Sequence, residues 1–137
     1  MQLTRHTDFA LRTMLYLAAS PDRLCSISEI ANSHAISRNH LMKVVNQLAQ
    51  AGLIASFRGR GGGIKLGRAP VDISIGDIVR ASENNFDLVD CSYCGITQGC
   101  GLPRTFRDAM AAFFDILDRQ SLQDLVRRPE LLIPAAP

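Results

Sequence analysis

A mainly α-helical winged helix-turn-helix, extended by a long C-terminal helix, is the fold predicted by three patterns in the sequence. Two short helical stretches with capping residues meet at a tight turn around His34-Ala35-Ile36. Two short apolar strands bracket the glycine-rich turn Arg58-Gly59-Arg60-Gly61-Gly62-Gly63. From Arg104 to Gln120, apolar residues recur at helical spacing. The 137 residues are a single-domain length, and at 47% hydrophobic they carry enough apolar material for a core. The expected divisions are a winged helix over 1–70, a cysteine loop and long helix over 71–128, and a flexible tail over 129–137.

Each element has a local cause. Phe9, Ala10, Leu11, Met14, Leu15, Leu17 and Ala18 follow a helical period from Asp8 to Ala19, and Pro21-Asp22 ends the run. Ser26 is an N-cap for a short second helix through Ile30-Ala31. Ser37 caps a third, from Arg38 to about Ala51, with Leu41, Val44, Val45 and Leu48 on its buried stripe and Gly52 at its stop. Leu53 to Phe57 and Ile64 to Leu66 read as the strands of the wing. Ser74 opens a short helix to Ala81, and the glycines of the cysteine loop prevent another until Pro103. The long helix presents Phe106, Ala109, Met110, Phe113, Ile116 and Leu117 along one stripe. Ser121 caps a last piece, Leu122 to Arg127, and Pro134 to Pro137 is expected to be disordered.

The net charge of +2 conceals a division at Arg68. The first 68 residues hold nine Lys and Arg against three acids, for +6, and the rest of the chain carries −4. A basic half points to a polyanion, and a helix-turn-helix makes double-stranded DNA the expected one. The second helix of such a motif offers its first residues to base edges; here these are Ser37, Arg38, Asn39, His40 and Lys43. Arg grips guanine and Asn adenine through paired hydrogen bonds, while Ser and Lys hold phosphates. Arg58, Arg60 and Lys65 on the wing are placed for phosphates or a narrow minor groove.

No run approaches the roughly 20 apolar residues of a membrane span. The charged start, Arg5-His6-Thr7-Asp8, does not suit a signal peptide, so a cytoplasmic location is expected. No carboxylate pair, nucleophile–base arrangement or phosphate loop suggests an enzyme.

Cys25 stands alone and reads as a small buried hydrophobe, whereas Cys91, Cys94 and Cys100 form a C-x-x-C-x-x-x-x-x-C cluster. In a reducing compartment such a cluster signals a metal or redox site. Zinc and iron–sulfur clusters both suit thiolates. Three cysteines leave one position for another kind of ligand or another subunit, which suits a sensor better than a structural staple. A structural zinc site, or an electron-transfer or thiol-redox protein, is the alternative. The apolar stripe of the long helix is expected to be a dimer seam, because bacterial winged-helix regulators meet two half-sites through a two-fold axis.

Four stretches then converge: Leu3-Thr4-Arg5-His6-Thr7-Asp8-Phe9-Ala10-Leu11-Arg12, Ile36-Ser37-Arg38-Asn39-His40-Leu41, the wing from Arg58 to Gly67, and the cysteine triplet. Over residues 1–128 the chain resembles the Rrf-two superfamily of iron–sulfur repressors, and most of all its nitric-oxide-sensing members. The resemblance implies a homodimer with one cluster per subunit, [4Fe-4S] or alternatively [2Fe-2S], on Cys91, Cys94 and Cys100. It also implies Asp8, supplied by the partner subunit, as a further ligand, and release of DNA when nitric oxide attacks the cluster. Sensing of iron, cluster supply or oxidation is the alternative within the family. Two features depart from the family pattern. The first two cysteines are closer together than is usual, and Gly101-Leu102-Pro103 contains no His of the kind some members use after the third cysteine. Asp8 has a second reading, as the N-cap of the first helix.

Overall fold

The computed structural model describes residues 1–134, and Ala135–Pro137, part of the stretch expected to be disordered, lie outside the described residues. Seven helices and one two-stranded sheet are described: α1 (Arg5–Ala18), α2 (Ile27–Ser33), α3 (Arg38–Gln50), β1 (Ile54–Phe57), β2 (Gly63–Leu66), α4 (Ile75–Ser82), α5 (Leu102–Asp118), α6 (Leu122–Leu125) and α7 (Pro129–Leu132). This is the mainly α winged helix-turn-helix with a long C-terminal helix that the sequence predicts.

Local chemistry explains where the helices begin. The Ser26 and Glu29 side chains of α2, and those of Ser74 and Asp77 in α4, form reciprocal capping boxes; the Ser37 hydroxyl accepts from the His40 N–H at 3.2 Å. Helix α1 begins three residues before Asp8, because the Thr4 hydroxyl accepts from the Thr7 N–H and caps the helix there. The cap reading of Asp8 is therefore corrected: it lies within the first turn and pairs with Arg12 one turn on, at 2.8 Å. Arg5, His6 and Thr7 are polar, so the apolar period that marks a helix was silent over its first turn.

The core joins both halves of the chain. Ala10, Met14 and Leu17 of α1 are enclosed with Leu41, Val44 and Leu48 of α3 and Ile78 and Val79 of α4. In the sheet, Ile54 pairs with Leu66 and Phe57 with Gly63. Cys25 is fully buried, and its backbone exchanges two hydrogen bonds with Ile64, at 2.9 and 2.8 Å, which adds a third short rung to the wing. Farther along, the Ile75 N–H donates to the Gln120 carbonyl and the Leu122 N–H to the Ile73 carbonyl, so the C-terminal end returns to the body of the fold. Leu122 is fully buried there.

Helix α5 is different. None of its residues is buried. Its attachment is chiefly to α4, where Arg80 forms a bidentate pair with Asp118 at 2.7 Å and lies 4.2 Å over the Phe114 ring. Gly76 permits that approach, since a Cβ there would collide with the Asp118 carboxylate. Helix α6 ends two residues short of the expected Arg127, and within the stretch expected as a flexible tail Pro129–Leu132 makes a helical turn.

Candidate functional site

The start of α3 presents a polar face. Leu41, Val44, Val45 and Leu48 point into the core, which leaves Arg38, Asn39, Met42, Lys43 and Asn46 exposed on the outside. The Arg38 Nε donates to Ser28 Oγ at 3.0 Å, and its Nη1 reaches Met42 Sδ at 3.6 Å. Arg38 thus bridges the two helices of the motif and holds its guanidinium in place before any ligand arrives.

His40 behaves differently from its neighbours. Its ring is half-buried, edge-on to Phe9 at 4.8 Å and 5.9 Å from the ring of His6. It braces α3 against α1. Ser37 is spent partly on its cap.

On the wing, Arg58 and Arg60 are exposed, and Lys65 sits 5.1 Å over the ring of Phe57, itself 45% exposed. Gly62 lets the turn fold back on itself, for a Cβ there would strike the Phe57 carbonyl. Ser28, Met42 and Phe57 belong to this surface and were missed in the sequence. Ser28 lies in the stretch that caps the second helix, Met42 falls outside the buried stripe of the third without any assigned role, and Phe57 is given only as a strand residue. The fold shows Met42 and Phe57 exposed and Ser28 in contact with Arg38.

The second candidate region is the cysteine loop between α4 and α5. Cys91 and Cys100 are half-buried, Cys94 is exposed, and all are free thiols. The Cys94 N–H donates to the Cys91 carbonyl at 3.3 Å, the Thr97 hydroxyl to the Cys94 carbonyl at 2.7 Å, and the Cys100 N–H to the Thr97 carbonyl at 3.5 Å. The loop is therefore a succession of tight turns. Among the described residues, no three Cys, His, Asp or Glu side chains converge closely enough to hold a metal ion. Beside Cys91, the loop and α5 enclose a groove of about 890 Å³ lined by Phe86, Leu88, Phe106 and Met110. The donor set, three unpaired and accessible thiols on one glycine-containing loop, fits an iron–sulfur cluster or another thiophilic metal centre. No three donors among the described residues converge, so binding requires the loop to close around the group.

Asp8 lies on the exposed face of α1, paired with Arg12. Both charges act on His34, which closes α2 and lies edge-on to Tyr16 at 5.8 Å. Burial, aided by Arg12, holds the His34 imidazole below its ordinary value. One helical turn away, the Glu83 carboxylate at the end of α4 accepts from the Thr4 N–H at 3.0 Å, the Thr4 hydroxyl at 3.0 Å and the Thr7 hydroxyl at 2.7 Å. This knot fixes the start of α1 to the residue from which the cysteine loop departs.

Among the described residues, no helix is long and apolar enough to cross a membrane. The sequence profile of the Rrf2 family, described as an iron-dependent transcriptional regulator, matches residues 3–128. The chain is 44% identical over 136 residues to the HTH-type transcriptional regulator NsrR of Bacillus subtilis, covering 95% of this chain and 93% of that protein. Among solved structures, CymR, the global cysteine regulator of B. subtilis, superposes with a TM-score of 0.73 at 30% identity, over 91% of this chain and 95% of that one. IscR of T. potens superposes with a TM-score of 0.74 at 26% identity, over 93% of this chain and 87% of that one. The matched proteins are named as regulators of transcription, not as enzymes.

Proposed function

The chain belongs to the Rrf2 family of transcriptional regulators, and on that premise we propose that it is a homodimeric repressor whose hold on operator DNA depends on an iron–sulfur cluster that reacts with nitric oxide. The observation that carries this reading is the trio of free, accessible thiols, Cys91, Cys94 and Cys100, on the loop that leads into an uncovered α5.

The DNA-reading role falls to Arg38 and Asn39 for base edges and to Ser37, Lys43, Arg58, Arg60 and Lys65 for the backbone. His40 contributes by seating α3 on α1. The apolar stripe of α5, with Phe106, Phe113 and Ile116, is the surface two subunits share. Ile116 is 65% exposed in the single chain, a state that burial against a second copy relieves.

Cys91, Cys94 and Cys100 would hold the cluster, and Asp8 of the partner subunit would complete its shell. A cluster bound there, [4Fe-4S] or alternatively [2Fe-2S], would supply iron reactive toward nitric oxide, with the Asp8 carboxylate as a weaker ligand than the thiolates. The protein's part is electrostatic and mechanical. Drawing Asp8 to the partner's loop removes the counter-ion of Arg12, and that change in charge is felt at His34 in the helix-turn-helix corner. Glu83 transmits loop position to the start of α1 through Thr4 and Thr7. DNA affinity and loop state are thereby linked through one helix.

The test uses protein purified without air. It is expected to be coloured, to shift promoter DNA, and to release it on stoichiometric nitric oxide. Colourless protein that binds the same DNA equally tightly, with or without the gas, overturns the sensor. Release by iron starvation or oxidants but not by nitric oxide reassigns the signal within the same architecture.

A further inference from the structure

We propose that Cys91 and Cys94 form a reversible disulfide in the cluster-free chain, and that this bond gates reloading of the loop. The two residues are the ends of one four-residue turn, closed by the hydrogen bond from the Cys94 N–H to the Cys91 carbonyl at 3.3 Å. Such a turn keeps its end Cα atoms within about 7 Å, and disulfides span about 4.4–6.8 Å between Cα atoms. The bond therefore needs side-chain rotation more than backbone movement. Between the two cysteines in the chain, Tyr93 is 98% exposed, and after them a Cβ at Gly95 would meet nothing, so these residues do not hold the turn rigid.

The other two cysteines are poor partners. Cys100 follows a separate turn over Thr97–Gly99, whose bond from the Cys100 N–H to the Thr97 carbonyl lies outside the turn that joins Cys91 to Cys94. Cys25 is fully buried in the wing, and burial pushes its thiol up, toward the unreactive protonated form.

The oxidant is a hydroperoxide. The exposed Cys94 sulfur attacks a peroxide oxygen: an S–O bond forms, the O–O bond breaks, and water or an alcohol leaves, which makes a sulfenic acid. The Cys91 sulfur then attacks the Cys94 sulfur. An S–S bond forms, the S–O bond breaks, and hydroxide leaves as water with the Cys91 proton. Two electrons and two protons pass from the dithiol to the peroxide. A thiol reductant reverses the change by exchange. Sulfurs joined to each other are not thiolate ligands, so the oxidised loop keeps only Cys100 for a metal. The gate rests on the cluster reading above, whereas the disulfide stands on the turn alone.

The experiment treats the full-length chain, freed of metal under anaerobic conditions, with stoichiometric hydrogen peroxide. The expected thiol titre under denaturing conditions falls from four to two per chain. Intact mass loses two hydrogens, peptide mapping joins Cys91 to Cys94, and dithiothreitol restores the starting state. Cys100→Ala oxidises in the same way, while Cys91→Ala accumulates a sulfenic acid at Cys94 that dimedone traps. The oxidised chain fails to take up iron and sulfide until it is reduced. Linkage through Cys100, linkage between chains, or sulfinic acid without a disulfide overturns the pairing. An oxidised chain that loads as fast as the reduced one overturns the gate. A reduced chain that never loads overturns the cluster reading instead, and the gate with it.

Discussion

Glu83 shows what a single side chain contributes here. Burial works to raise its carboxyl, but hydrogen bonds from the Thr4 N–H and from the Thr7 and Thr4 hydroxyls outweigh burial and hold it below its ordinary 4.5. Between the lowered value and the ordinary one, the unfolded chain binds more protons than the folded chain. The stabilisation is therefore complete above the ordinary value and is lost as pH falls through the folded one. Glu83→Gln is expected to flatten the acid limb of a plot of Tm against pH; an unchanged limb would remove the knot from the stability of α1. The reading residues make a separate prediction. Arg38→Ala or Asn39→Ala is expected to cost about 1–3 kcal/mol of operator binding while sparing non-specific DNA. Arg60→Ala or Lys65→Ala is expected to weaken both and lower the salt slope by about one unit. Equal behaviour of the four in a salt-titrated binding assay would show that the reading helix is misassigned. The exposed position of Arg38 and Asn39 at the start of α3 was legible because they follow an N-cap in a recognisable motif. The inward turn of His40 was not, since it depends on Phe9 and His6 from another helix.

At the scale of the element, caps and apolar periods made most boundaries readable. The Ser26–Glu29 box starts α2 and also ties it to α1, because Glu29 binds Arg23 at 2.6 Å and accepts from the Tyr16 hydroxyl at 3.2 Å. Ser26→Ala is expected to lower stability by about 1 kcal/mol in a urea titration, with the slope unchanged. A loss within error would mean that Glu29 and Arg23 hold the helix without its cap. The first turn of α1 escaped the sequence reading because its residues are polar and its cap lies at Thr4. The turns of the cysteine loop escaped as well. Spacing names the thiols, but hydrogen bonds to Cys91, Cys94 and Thr97 carbonyls decide how they are arrayed.

For the whole molecule, the pertinent fact is that α5 is amphipathic yet has no fully buried residue in the single chain, with only Phe114 and Leu117 packed against the core. Ile116→Asp is expected to split the dimer in sedimentation equilibrium while leaving the far-ultraviolet circular dichroism of each subunit intact, since the side chain supports no intrachain core. A variant that sediments as the parent does would move the seam elsewhere. The charge division follows the same plan. The basic half contains the helix and wing proposed to meet DNA, and the acidic half contains the loop and α5.

By itself, the sequence determined what local interactions govern: most of the stretches that become helix or strand, the serine caps that start α2, α3, α4 and α6, and which stripe of α3 turns inward. Those outcomes depend on residues within a turn or two of each other, so periodicity and side-chain chemistry suffice. Only the tertiary structure decided the rest. It placed Glu83 on Thr4 and Thr7, Arg80 on Asp118 and His40 on Phe9, and it left the three loop thiols without a common point of convergence. Each of these brings together residues far apart in the chain, or depends on what packs around a loop, and only the closed core sets those separations.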